Sequence, residues 1–182
     1  MKKPERFDLV HEFSKSRRVE DTHTFLDFDL TDLLGSSELQ EFQEQTGLQK
    51  SPVTLVLPDR FQYRQRSSSR RSQVVVAFLH GLGGGRTSWG LGETVQERQD
   101  SFVLQVLRSV ESMGRDAVGL VLAGLGRDGG SVHSTVSEGG ITPRHYSRQL
   151  ELVLRCLGLS RCGKIIGIGH SVGAAALWEF AA

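Results

Sequence analysis

The last nineteen residues, "KIIGIGHSVGAAALWEFAA" (164–182), contain the pattern that decides the fold. An apolar run of β-branched residues that ends at a glycine is typical of a strand buried on both faces of a parallel sheet. The alanine-rich segment that follows favours a helix. The stretch therefore predicts a strand that turns sharply into a helix, with Ser171 at the turn between Gly169 and Gly173.

The same alternation of strands and helices extends upstream. "QVVVAFLHG" (73–81) and "AVGLVLAG" (117–124) predict two further buried strands, and apolar residues at helical spacing occur over 99–113 and 143–157. Thr142 has the properties of an N-cap. Such alternation indicates a parallel sheet with right-handed crossovers. We expect an α/β fold, specifically a three-layer sandwich with a mostly parallel sheet and helices on both faces.

The first part of the chain has weaker patterns. Residues 1–50 are charged and show little periodicity, which predicts a poorly defined N-terminal extension. One helix is expected after Gly35, over "SSELQEFQEQT". The folded domain is expected over residues 51–182 and begins with two short strands, at 53–59 and 60–65.

Composition excludes several classes of partner. The 182 residues carry 22 basic and 21 acidic side chains, and the net charge of +1 gives no reason to expect nucleic acid or an anionic membrane. No apolar run reaches membrane-spanning length, and the N-terminus lacks the apolar core of a signal peptide. The spacing of Cys156 and Cys162 matches no zinc or redox motif. These features predict a soluble, cytoplasmic protein.

The pentapeptide Gly169–Gly173 fits the pattern G-x-S-x-G, which suits a serine nucleophile. A nucleophile raised on a sharp strand-to-helix turn needs small residues two positions to either side, because larger ones would collide with the helix or the adjacent strand. The turn exposes the hydroxyl beside the N–H groups of a helix N-terminus, which stabilise developing negative charge. The alternative is an ordinary glycine-rich turn in which Ser171 is incidental.

A second motif follows the strand at 73–79. His80-Gly81-Leu82-Gly83 lies where the chain must turn back over the end of the sheet, and its glycines permit that turn. Acyl transfer by a serine requires a second backbone N–H to bind the oxyanion, and this loop can provide it. For His80 itself, a bracing role at the end of the strand is favoured over a catalytic role.

Together, "FLHGLGG" and "GHSVG" resemble the α/β-hydrolase family of esterase- and lipase-like serine hydrolases, over about residues 53–182. The resemblance implies that Ser171 is the nucleophile and that the backbone N–H groups of Leu82 and Val172 form the oxyanion hole. It also implies that His170 points away from the site. The expected reaction is hydrolysis of a small-molecule ester-type bond through an acyl-enzyme, with no metal and no organic cofactor.

Two departures from the family pattern change the expectation. The loop "AGLGRDGGS" (123–131) lacks the aspartate that begins the corresponding family loop, and the family's catalytic acid and histidine follow the serine, beyond Ala182. Neither His133 nor His145 has a spacing that suggests a substitute base. We therefore expect an incomplete hydrolase domain without its C-terminal strands, inactive by itself. Its strand at 164–169 would be an open sheet edge that self-associates or binds a partner chain.

Two other functions remain open from the sequence. Gly124–Gly129 satisfies the dinucleotide-binding pattern G-x-G-x-x-G, although no helix begins at these glycines. "GIGHSVG" (167–173) does open a helix, but its third glycine comes one residue late. A hydrolase-like fold without a working triad can also serve as a non-catalytic interaction module.

Overall fold

The computed structural model of the chain describes residues 15–19, 22–46, 49–59, 73–81, 84–123, 142–161 and 164–182. These residues form one six-stranded sheet and five α-helices. The strands are β1 (Lys15–Val19), β2 (His23–Asp29), β3 (Pro52–Pro58), β4 (Gln73–Leu79), β5 (Asp116–Leu122) and β6 (Lys164–Gly169). The helices are α1 (Ser36–Thr46), α2 (Val95–Gln99), α3 (Phe102–Ser112), α4 (Pro143–Cys156) and α5 (Val172–Ala181).

The sheet has the strand order β1-β2-β3-β5-β4-β6 and is mixed. β4 lies in the middle of a parallel group, between β5 and β6. The other three pairings, β1 with β2, β2 with β3 and β3 with β5, are antiparallel. The parallel part of the sheet is therefore confined to the three strands that alternate with helices along the chain.

The predicted three-layer hydrolase sandwich with a mostly parallel sheet is wrong, because most pairings between the described strands are antiparallel. The physical reason lies in the connections at the N-terminal end. β1 and β2 pair Val19 with His23, which leaves room for a tight hairpin and none for a crossover helix. β3 is antiparallel to both of its neighbours. The structure is a mixed α/β architecture.

Buried side chains cover both faces of the sheet. Alternate residues of β4 point to opposite faces, as pleating requires. Val75, Ala77 and Leu79 join a cluster with α1, α4 and α5 on the first face. Val74, Val76 and Phe78 join a cluster with α3 and Trp89 on the second face.

The local predictions from β4 onwards are confirmed within one or two residues for most element ends. The Thr142 hydroxyl accepts a hydrogen bond from the His145 N–H and caps α4. The helix expected after Gly35 is α1, and residues 15–46 also supply β1 and β2 to the sheet. The strand predicted over 60–65 lies outside the described residues.

Candidate active site at the end of strand β6

The turn between β6 and α5 occupies only His170 and Ser171. The N–H of Gly173 donates to the His170 carbonyl at 3.0 Å, and the N–H groups of Ala174 and Ala175 donate to the Ser171 carbonyl at 3.0 and 3.2 Å. These bonds start the helix immediately after the strand. As the first residue of α5, Val172 carries an N–H that has no acceptor within the helix.

Ser171 has a strained backbone. Its φ of 54° and ψ of −121° place it in a region that favours glycine, and among the described residues it is the one non-glycine with positive φ. A residue held there costs about 1–3 kcal/mol, so the surrounding structure must impose the conformation. The Ser171 side chain is exposed and makes no capping hydrogen bond to α5. The strained backbone therefore exposes a hydroxyl that does not cap the start of α5.

Gly169 and Gly173, which flank the turn, are required for different steric reasons. A Cβ on Gly169 would lie 2.6 Å from the backbone nitrogen of Ala174, within α5. A Cβ on Gly173 would lie 2.1 Å from the carbonyl oxygen of Leu79, at the end of β4. The first glycine lets the strand pass under the helix, and the second lets the helix approach the neighbouring strand. The predicted steric requirement for small residues at 169 and 173 is confirmed.

The turn after β4 meets this serine directly. A Cβ on Gly81 would lie 3.2 Å from Cβ of Ser171 and 2.7 Å from Nδ1 of His170. The His170 N–H also donates to the Leu79 carbonyl at 3.1 Å, which ties the two turns together. The His170 ring therefore lies against the Gly81 turn, contrary to the expectation that it points away from the site. Leu82, the predicted oxyanion donor of this loop, lies outside the described residues.

His80 is fully buried under the same turn. Its Nδ1 lies 2.7 Å from the Gly81 carbonyl oxygen, and its ring centroid lies 5.8 Å from that of Tyr146. This arrangement suits a brace for the loop, in agreement with the role favoured from the sequence. A buried ring in these contacts is poorly placed to exchange protons with a substrate.

Tyr146, on α4, packs beside His80 near the site. From the sequence it was one of the residues at helical spacing over 143–157. Its hydroxyl donates to the Leu122 carbonyl at 3.1 Å, at the carboxyl end of β5. Burial raises the pKa of Tyr146 because the phenolate would lose its hydration, while a hydrogen bond with the His80 backbone acts in the opposite direction. The phenol therefore stays protonated and can hold β5 in place beside β4.

The remaining sequence candidates lie elsewhere. His145 Nδ1 accepts from the Thr142 N–H at 3.1 Å, so this histidine is part of the cap of α4. His133 and the glycine pattern Gly124–Gly129 lie outside the described residues. A cavity of about 780 Å³ is lined by charged residues of α1, α4 and the end of α5, and neither Ser171 nor Gly81 lines it. The volume of this cavity therefore says nothing about the serine site.

Comparison with known proteins gives no family for the chain: no known family profile matches it, and no curated protein matches it significantly. Across the described residues, no helix is both long and apolar enough to cross a membrane. The same residues contain no cluster of three or more histidine, cysteine, aspartate or glutamate side chains suited to hold a metal ion.

Proposed function

We propose that Ser171 is the nucleophile of a serine hydrolase that cleaves an ester-type bond in a small molecule. The proposal is based in part on the resemblance of "GHSVG" and "FLHGLGG" to the nucleophile and oxyanion motifs of α/β-hydrolases. The observation that carries it is the strained backbone of Ser171, whose Cβ is held against the Gly81 turn. A strained residue that exposes a hydroxyl beside a second turn suits acyl transfer, because backbone N–H groups of such turns can bind the developing oxyanion.

The proposed reaction assigns a role to each of these groups. The Oγ of Ser171 attacks the ester carbonyl carbon, and its proton passes to a base that the described residues do not identify. The carbonyl oxygen becomes an oxyanion, which the Val172 N–H and the predicted Leu82 N–H bind. Collapse of this intermediate releases the alcohol, which gains a proton, and water then hydrolyses the acyl-enzyme. No step of this chemistry requires a metal or an organic cofactor.

A fluorophosphonate probe tests the nucleophile, because it bonds covalently to activated serines. Although the departures from the family pattern predict a domain that is inactive by itself, a Ser171 that another base activates should label in the wild-type chain, and this labelling should disappear in Ser171→Ala. Ser160→Ala changes an exposed serine in the connection before β6 and should label like the wild type. Failure of the wild type to label, or equal labelling of Ser171→Ala, would support a non-catalytic interaction module instead.

The partner we propose for β6 is a second copy of the chain. Among the described strands, β6 pairs with β4 alone, so within these residues one edge of the strand has no strand partner. Pairing β6 antiparallel with its copy about a two-fold axis normal to the sheet keeps each face of the sheet continuous. With Gly167 opposite its own copy, Ile166 faces Ile168 of the second copy on the second face of the sheet. Each such pair contributes about 0.2–1 kcal/mol.

Sedimentation velocity over a range of concentrations tests this partner. Ile166 would face Ile168 of the second copy across the proposed pairing, so Ile166→Lys should shift the chain towards monomer. Val95→Lys places the same charge at a 48% exposed position on α2 and should leave the dimer unchanged. A wild-type chain that remains monomeric at high concentration would contradict the pairing. The predicted cytoplasmic location stays part of the proposal, and cell fractionation tests it.

A further inference from the structure

The carboxylate of Asp27, on β2, holds two arginines from the segment that follows the Gly81 turn. Asp27 Oδ1 accepts from Arg86 Nη1 at 3.1 Å, and Asp27 Oδ2 lies 2.9 Å from Arg98 Nη2. The Thr54 hydroxyl, from the paired position on β3, donates to Oδ1 at 2.6 Å. We call these four residues, Asp27, Thr54, Arg86 and Arg98, the Asp27 anchor.

The Asp27 anchor is largely withdrawn from water. The Arg98 side chain is 1% exposed, that of Asp27 11% and that of Arg86 22%. The Arg98 guanidinium lies over the Phe25 ring at 5.5 Å from its centroid, and Nε donates to the Gly92 carbonyl at 2.9 Å. A buried guanidinium requires a charged partner, so loss of the carboxylate would force the arginines to move towards solvent.

Asp27 and Thr54 belong to a row of paired residues that crosses the sheet from β2 to β6 and ends just before the site. Strand register connects, in order, Asp27, Thr54, Val121, Phe78 and Ile168. Ile168 comes three residues before Ser171, so the row runs directly below the carboxyl ends of β4 and β6. Asp27 is thus connected to the site by a continuous line of strand pairings.

The segment 84–98 links the two ends of this row. At its start, the Gly84 N–H donates to the Gly81 carbonyl at 3.0 Å. In the middle, Trp89 packs edge-on against Phe78 with ring centroids 5.7 Å apart. Asp27 binds Arg86, near the start of the segment, and Arg98, at its far end. The segment is therefore bonded to Gly81 at its start and to Asp27 through Arg86 and Arg98, and Gly81 is the residue that packs against Ser171.

We propose that Asp27 is a positioning residue for the Ser171 site. By holding Arg86 and Arg98, it fixes the segment 84–98 and with it Gly81, which is bonded to Gly84 and packs against Ser171. The inference rests on the proposed function of Ser171 for its catalytic consequence. Its structural part, the ordering of the turn, can be measured without any activity.

The test compares Asp27→Asn with Asp32→Asn, which makes the same change at an exposed position of the 3-10 turn after β2. Two measurements are made: hydrogen exchange of the Gly84 and Gly90 amides, and the rate of fluorophosphonate labelling per folded molecule. In Asp27→Asn we expect at least about tenfold faster exchange at both amides. Labelling should slow by on the order of a hundredfold, the effect of a displacement of about 1 Å at a reacting site. Asp32→Asn should change neither measurement.

The outcomes separate the two proposals. A wild-type chain that does not label refutes the function of Ser171, while exchange at Gly84 still decides whether Asp27 orders the turn. Unchanged exchange and unchanged labelling in Asp27→Asn overturn the positioning role. If Asp27→Asn does not fold, the test uses Arg86→Gln, which removes the more exposed of the two arginines that Asp27 binds. It should slow labelling, and Arg86→Lys, which keeps the charge, should recover part of the rate; equal rates in the two variants would overturn the role.

Discussion

Replacing Gly173 by alanine sets two physical effects against each other. In a helix, alanine is normally more stable than glycine by about 1 kcal/mol. At this position, however, the added Cβ would lie 2.1 Å from the Leu79 carbonyl oxygen and 2.7 Å from that of His80. Carbon and oxygen normally approach no closer than about 3.3 Å, so α5 and β4 must separate by about 1 Å.

Both clashing atoms belong to the backbone, so no side-chain rotation can relieve the contact. Overpacking of this kind costs about 1–3 kcal/mol, and a backbone clash belongs at the upper end of that range. After the gain in helix propensity, we expect Gly173→Ala to lower the free energy of unfolding by about 2 kcal/mol. For a chain of this size, that loss lowers Tm by about 4–8 °C.

Urea denaturation and a thermal melt measure this loss. Gly35→Ala is the control, because its Cβ would be 3.6 Å from the nearest atom and should change stability by less than about 0.5 kcal/mol. If Gly173→Ala is as stable as the wild type or more stable, helix propensity dominates. The close packing of α5 on β4, on which the position of Ser171 depends, would then be refuted.

Two further predictions concern strain and pH. Ser171→Gly should raise the free energy of unfolding by about 1–3 kcal/mol while abolishing probe labelling, because glycine accepts the observed φ without strain; a less stable variant in urea would contradict the strain. Burial lowers the pKa of His23 below its usual 6.5, although the Glu111 carboxylate opposes this shift. The unfolded chain therefore binds the proton more readily, and stability should fall as pH decreases from about 7 towards 5. His23→Gln should flatten this dependence in thermal melts, and an unchanged slope would contradict it.

Local sequence signals predicted the elements from β4 onwards because each element carries its own pattern. An uninterrupted apolar run defines β4, and the Thr142 cap with Pro143 defines the start of α4. β2 was not predicted, because polar residues interrupt the apolar ones in its sequence, "HTFLDFD". Asp27, for example, is satisfied by Thr54 and by arginines that lie far away in sequence. A strand whose polar residues find tertiary partners has no recognisable apolar pattern.

The prediction of strand direction was wrong for a different reason. The pattern of β3 shows that it is a buried strand, and six of its seven residues are buried, but a buried strand can pair in either direction. The prediction of a mostly parallel sheet came from the strands that alternate with helices and took no account of β1 and β2, which add two of the three antiparallel pairings. Tyr146 and Asp27 were missed as supports of the site for a related reason. Their hydrogen-bond partners lie at least 24 residues away, and no local pattern marks such pairs.

The site itself depends on the parallel pair of β4 and β6, which explains why errors about the outer strands leave it unaffected. Parallel neighbours end at the same edge of a sheet, and the pairing of Leu79 with Gly169 places the turns after β4 and β6 side by side. A shift of one residue in this register would move the Gly81 turn by about 3.3 Å. It would break the bond from the His170 N–H to the Leu79 carbonyl and separate Gly81 from Ser171. The contact of two strand ends therefore holds the backbone of Ser171 in its strained conformation, and the role proposed for the Asp27 anchor adds a link from the antiparallel strands to the site.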